Sequence, residues 1–396
     1  MANLNQRLIY FLLFLLPWQT RLILRPGLLN SAIWEYGHLG IFATEILLWL
    51  IIIWRWPRFF DQLRRQRIGL TLSASLAVFY LFTSADKWLT LQILAHYFAA
   101  LSLFLILKDL SSAEKRLAIG AFVAGVTFQA ILGIWQFLTQ STLGNHWLGL
   151  VAHPAWLAGT AVIENTAGRF LRAYGGLPHP NILGGYLVVS LMLLLTVFGR
   201  HYRPGLVWVL YFIQLSALFF TFSRGAWLAL AVFLLIFLWQ DQRPRWLAAA
   251  ALVFVFYGWL FSPLLDSRLM GIGRLETISK NERLTQYSEA WSLVKQAPFF
   301  GTGPGLYTLA WHNLRPDQPV WALQPVHNIF VLALAEWGIV GLALLGLAIV
   351  PITKGALANT KVPLVIALVI LGLFDHYLLS LWSGLILTAT TLGLRK

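Results

Sequence analysis

Three short segments of this chain carry residue types able to handle a phosphate-bearing substrate. Arg224 stands in Thr-Phe-Ser-Arg-Gly-Ala-Trp-Leu, at the mouth of an apolar run. A guanidinium there is costly in lipid unless it faces a wet cavity or a partner. Its planar fork suits the paired oxygens of a phosphate or diphosphate, although an arginine snorkelling to lipid headgroups fits the position equally well. Arg283, in Asn281-Glu282-Arg283-Leu284, offers a second cation to the same ligand; alone, it reads first as a solvated surface charge. His327-Asn328 precedes an apolar run and is followed by Gly338-Ile-Val-Gly341. A neutral imidazole beside cations is a candidate general base near pH 7, against the plainer reading of a histidine bonded to interfacial water. Asn328 is placed to cap the following helix, and both glycines read as close-packing positions between helices.

A fourth stretch, Arg172-Ala-Tyr-Gly-Gly-Leu-Pro-His179-Pro180-Asn181, would present Arg172 and His179 to the same cavity. Its prolines and glycines equally make it a structural lead-in to a helix. The glycines of Pro298-Phe-Phe-Gly301-Thr-Gly303-Pro-Gly305 lack the strand and the Lys-Ser/Thr of a nucleotide loop and read as a tight turn. Glu336 lies inside an apolar run and needs a partner the sequence does not name. Glu45, His96, Gln129, Gln136 and Gln214 are expected to bond between helices. With no cysteine, and no Asp-x-Asp or His/carboxylate cluster in the long loops, neither a metal site nor a cofactor is expected.

The elements positioning these residues follow from composition. Of 396 residues, 59% are hydrophobic and 11% charged, less than half the charge of a soluble domain. The expectation is an all-α integral membrane protein, one domain over residues 1–396. About 12 transmembrane helices fall near 7–23, 38–54, 68–83, 88–107, 117–138, 180–198, 204–222, 224–239, 246–263, 327–350, 361–375 and 377–393. The last two are short and are joined by Asp375-His376. Long loops at 139–179 and 264–326 are expected on the outer side, the second partly helical. There Ser279 and Glu282 have capping-box spacing, Leu284, Tyr287, Trp291 and Val294 share a face, and Pro298 ends the helix. The net charge of +14 would suit nucleic acid in a soluble protein, but the basic residues cluster between apolar runs. Arg7, Arg55, Arg58, Arg64, Arg65, Arg67, Lys108, Lys115, Arg116, Arg200, Arg203, Arg243, Arg245, Lys354, Lys361, Arg395 and Lys396 fall on one side, 17 of the 29 Lys and Arg. That puts both termini in the cytoplasm and the candidate residues at the periplasmic face of the inner membrane. No nucleic-acid partner is expected.

With these residues in place the chain resembles the O-antigen ligase and polymerase superfamily. Arg224-x3-Leu228 is similar to its membrane motif, and His327-Asn328-x9-Gly338-x-x-Gly341 to its histidine motif. Arg283 through Gly305 resembles its loop arginine and Pro-x-x-Gly-x-Gly turn, and the likeness is specific over 172–345. The resemblance implies a metal-independent, inverting glycosyltransferase that takes its glycan from an undecaprenyl-diphosphate-linked donor. Arg224 and Arg283 would hold the diphosphate, His327 would deprotonate the acceptor hydroxyl, and Arg172, His179 and Asn328 would contact substrate. The acceptor class stays open among lipid (lipid A-core), a growing glycan and protein, so ligase, polymerase and protein O-oligosaccharyltransferase all fit. From another class, a transporter of a small anion such as bicarbonate would need polar groups through the whole bilayer. A noncatalytic envelope scaffold is a third reading.

Overall fold

The structure, a computed structural model, describes residues 4–56, 67–199, 203–271, 273–353 and 362–394. Eight of the basic residues used for orientation (Arg58, Arg64, Arg65, Arg200, Lys354, Lys361, Arg395 and Lys396) lie outside the described residues.

Helix dominates the described residues, and every strand is five residues or shorter. The helices are α1 Leu4–Leu15, α2 Ala43–Trp54, α3 Arg67–Thr83, α4 Lys87–Lys108, α5 Ser112–Thr139, α6 Pro180–Phe198, α7 Pro204–Phe220 and α8 Arg224–Asp241. They continue with α9 Pro244–Leu260, α10 Ser262–Met270, α11 Arg274–Gln296, α12 Tyr307–Leu314, α13 Ile329–Thr353, α14 Val362–Phe374, α15 Tyr377–Ser380 and α16 Trp382–Gly393. Among the described residues four segments are long and apolar enough to cross a bilayer: α4, α5, α6 and Ile329–Val350 of α13. A fifth exists if α9 and the α10–α11 segment, bent by 102°, count as one broken span. Six further apolar helices are shorter, from 10 to 17 residues.

Two expected spans are cut down by strand. The first helix stops at Leu15, two residues before Pro17, which restricts the residue preceding it. The chain then turns into β1 (Arg21–Arg25), which pairs antiparallel with β4 (Leu39–Phe42); between them β2 (Leu28–Leu29) pairs with β3 (Ala32–Ile33). In the first long loop β5 (Val162–Asn165) and β6 (Gly168–Leu171) form a hairpin. Its Glu164 carbonyl accepts from Ser267 Oγ at 2.7 Å and its carboxylate pairs with Arg274 at 3.2 Å, tying the hairpin to α10 and α11.

Helix α6 runs through the centre, burying almost every side chain. Its second turn is crowded: a Cβ on Gly184 would stand 2.8 Å from the Ala226 Cβ, and one on Gly185 2.0 Å from the Tyr377 hydroxyl. Bare glycine there lets the starts of α8 and α15 close on His179–Asn181. Within the bundle, Glu45 pairs with His96 at 3.3 Å and Gln214 donates to Thr127 at 2.9 Å, both between helices. Gln129 and Gln136 act differently. They grip the loop backbone of Tyr174, Gly175 and Gly176 over 2.5–3.0 Å.

Helix α13 is broken at Gly338, with φ 63° and ψ 176°. A break in a span frees backbone groups that lipid cannot satisfy. Here the Pro298–Gly303 loop satisfies them. Thr302 N donates to Ala335 O and Gly303 N to Glu336 O, while Ile339 N and Val340 N donate to Pro298 O and Phe299 O, all at 2.9 Å. From α3, the Tyr80 hydroxyl reaches Trp337 O at 2.8 Å and Phe300 O at 3.0 Å. The partner of Glu336 is the same loop: its carboxylate accepts from the backbone of Gly305 and Tyr307. Gly338 therefore does not pack helix against helix as expected; it admits the loop, since a Cβ would stand 2.4 Å from Phe299 C. Gly341 does pack against a helix, through Tyr80.

Candidate functional site

The site is built around the turn between α7 and α8. Phe222 has φ 47°, which ends one helix and starts the next within three residues. Arg224 becomes the first residue of α8, where the positive end of the helix already favours an anion. The carbonyls left open at the end of α7 are met by two buried arginines. Arg172 Nε donates to Thr221 O at 2.7 Å, and Arg268 Nε to Phe222 O at 3.0 Å.

Arg224 Nη1 donates to Arg268 O at 3.0 Å, and its Nη2 lies 3.3 Å from Glu276 Oε2. The other oxygen of Glu276 pairs closely with Arg268. One carboxylate thus serves two guanidinium groups. Arg283, on the next turns of α11, also lines the cavity, and among the described residues no hydrogen bond or ion pair holds its guanidinium. The cavity is about 260 Å³, walled by Asn181, Ser223, Arg224, Arg268, Arg283 and Asp375 on its polar side. Leu228, Leu371 and Phe374 supply an apolar side.

The Arg172–Asn181 stretch closes the back wall. Arg172 Nη2 donates to Asn181 Oδ1 at 2.7 Å, and Asn181 Nδ2 donates to Asp375 Oδ2 at 2.9 Å. Burial and the nearby Arg268 cation lower the Arg172 pKa. His179 caps α6, its Nδ1 accepting from Asn181 N at 3.1 Å. Burial and Arg172 bring its pKa down to about 3, so it is neutral near pH 7.

Asp375 connects the cavity to the histidines. His327, Asp375 and His376 each bring one ligating atom within 4.8 Å of the others, and the two imidazoles meet edge-on with centroids 5.2 Å apart. His327 Nδ1 lies 2.7 Å from Gln286 Oε1, which can only accept. That contact puts the proton on Nδ1 and leaves Nε2 with a free lone pair. Burial lowers the His327 pKa and Asp375 opposes the shift. Burial pushes the Asp375 carboxyl up, but His327, His376, His179 and the Asn181 amide outweigh it and hold it below the usual range.

Residues 209–346 match the family model described as O-antigen ligase (Wzy_C). The match supports the O-antigen ligase and polymerase superfamily. No curated protein and no solved structure matched the chain.

The matched segment holds Arg224, Arg268, Glu276, Arg283, Gln286 and His327; Arg172, His179 and Asp375 join it from either side. Of the residues singled out in the sequence, Arg224 and Arg283 line the cavity and His327 stands behind Asp375. Arg172, His179 and Asn328 do not line it. Asn328 Oδ1 caps α13 through Phe330 N and Val331 N, and its Nδ2 faces Tyr287 Oη and Leu373 O. The helix carrying Arg283 differs from expectation. It starts at Arg274, not Ser279, so Ser279 and Glu282 are interior and form no capping box. Leu284, Tyr287 and Trp291 are exposed, because the face turned inward is the one with Glu276, Gln286, Glu289 and Leu293.

Arg268, Glu276 and Gln286 carry no signal in the sequence, and Asp375 reads there only as part of a link between spans. The available signal was Asp375-His376, two ionisable residues between apolar runs. The expectation of no metal site came from inspecting the two long loops. The fold assembles a His/carboxylate group from the start of α13 and the α14–α15 link instead.

Proposed function

We propose that this chain transfers a glycan from undecaprenyl diphosphate to an acceptor hydroxyl at the outer face of the membrane, in cell-surface polysaccharide synthesis. The observation that carries the reading is a cavity with Arg224, Arg268 and Arg283 on one wall and Asp375 leading to His327 on the other. Arg224 and Arg283 hold the diphosphate in bidentate contacts, with the first turn of α8 adding backbone N–H groups. The apolar side of the cavity faces the polyprenyl chain.

His327 Nε2 takes the proton of the acceptor hydroxyl, and the oxygen attacks the anomeric carbon from the face opposite the phosphate. The bond from that carbon to the phosphate oxygen breaks, and its electron pair leaves with undecaprenyl diphosphate. The configuration is inverted. The arginines stabilise charge as it develops on the leaving diphosphate, the work a divalent ion performs elsewhere, which is what supports transfer without a metal. Asp375 stabilises the imidazolium formed on His327.

The test is reconstitution with an undecaprenyl-diphosphate glycan and lipid, glycan and protein acceptors, with and without chelator. Arg224→Ala and His327→Ala should abolish transfer while the chain still inserts and accumulates. Transfer surviving both changes removes the mechanism. Product length separates single transfer from polymerisation.

A further inference from the structure

The group formed by His327, Asp375 and His376 has properties a general base alone does not require. Each histidine has one nitrogen committed and one free. Gln286 Oε1 fixes the proton of His327 on Nδ1. Ser380 Oγ lies 3.1 Å from His376 O, to which it donates, so its 2.6 Å contact with His376 Nδ1 is one it accepts. The proton of His376 is therefore also on Nδ1, and both Nε2 lone pairs are available. Asp375 receives Asn181 Nδ2 on one oxygen and His376 N on the other, and each oxygen keeps a second lone pair.

Two imidazoles whose far nitrogens are hydrogen-bonded, plus one braced carboxylate, make a set of three ligands with supporting contacts already in place. Two nitrogens and a single carboxylate suit a zinc-class ion and do not suit Mg²⁺ or Ca²⁺, which take mostly oxygen. Zinc bonds near 2.1 Å separate ligand atoms by about 3.4 Å. One ring nitrogen of each histidine and an Asp375 oxygen lie within 4.8 Å of one another, so those atoms must close by about 1.4 Å at most, with side-chain rotation aiming each Nε2 at the ion. Asp375 lines the cavity, so the fourth position opens toward it. Arg283 lies close enough to act on His327, and its charge weakens the site for a cation.

We propose that His327, Asp375 and His376 bind one zinc-class transition-metal dication, and that the bound ion silences transfer by occupying the lone pair of His327. The silencing rests on the transferase reading above; the binding does not. Transfer is then metal-independent and metal-inhibited, a combination neither the arginines nor the histidines alone would suggest.

The experiment uses the purified full chain in detergent, stripped with chelator and titrated with Co²⁺ and Zn²⁺. One equivalent of Co²⁺ should bind with a visible absorption band of nitrogen–oxygen coordination, and Zn²⁺ should displace it. His376→Gln should weaken binding at least tenfold while keeping the metal-free transfer rate. In the transfer assay Zn²⁺ should inhibit the wild type at least tenfold, reversed by chelator, and should spare His376→Gln. No Co²⁺ band, or one unchanged by His376→Gln, overturns the site. A band together with transfer that chelator abolishes overturns the silencing and makes the metal catalytic. A band in a chain that transfers no glycan under any condition leaves the site standing and sinks the transferase reading instead.

Discussion

Replacing Asp375 by Asn tests the electrostatic half of the mechanism with little change of shape. The carboxylate lies within 4.8 Å of His327, which in the proposed mechanism becomes an imidazolium only as the acceptor loses its proton. Two unit charges at that separation interact by about 3.5 kcal/mol at an effective dielectric near 20, and by about 0.9 kcal/mol at the value for water. These correspond to rate losses of a few hundredfold and about fivefold, and the buried setting favours the larger. Asp375→Asn should therefore lower kcat about a hundredfold and leave the donor KM within twofold, because the carboxylate repels phosphate rather than holding it. Asp375 also raises the His327 pKa against burial. Its loss should move the acidic limb of the pH–rate profile to lower pH. Reconstituted transfer measured from pH 5 to 8, on protein matched by size-exclusion profile, reads both quantities. A kcat within threefold of wild type, with an unmoved limb, refutes the role of Asp375.

Other outcomes follow from the same contacts. Gly338→Ala forces a side chain into a backbone region only glycine occupies readily, 2.4 Å from Phe299 C. A loss of at least about 3 kcal/mol is expected, visible as a collapsed thermal transition or a failure to accumulate. Glu276→Gln removes the counter-charge from buried Arg268 and from Arg224, which is 34% exposed, a loss of roughly 3 kcal/mol carried mainly by Arg268. Added inorganic pyrophosphate should then stabilise the variant more than the wild type, and equal stabilisation of the two counts against the cavity as a phosphate site. Stability should fall as pH drops below the ordinary histidine value near 6.5. The unfolded chain then takes up protons that native His376 and His179 refuse until about 4 and about 3. Chemical unfolding at pH 7, 6 and 5 checks the sign.

Much of the helical order was written locally. The bounds of α6 follow from the Pro180 start and an unbroken apolar run, and Arg224 announces itself as a cation at the head of one. The partners of these residues were not local. Arg268 and Glu276 face Arg224 only because α9 and the α10–α11 segment meet at 102°, an angle no periodicity encodes. Asp375-His376 looks like a link between short apolar runs until Asn181 and His327 are brought against it from 194 and 48 residues away. Helix α11 misled for another reason. Apolar residues on a helix beside a membrane need not point inward, and here the polar stripe carrying Gln286 does.

The splice at Gly338 constrains how such a chain can diversify. Backbone from 298–303 is woven into the gap of α13, the helix that begins just after His327, so lengthening that stretch would displace His327 along with it. The turn at Arg315–Asp317 is tied to nothing comparable, its side chains 52% and 67% exposed. New surface for telling one acceptor from another can be grafted there while the reacting groups keep their places.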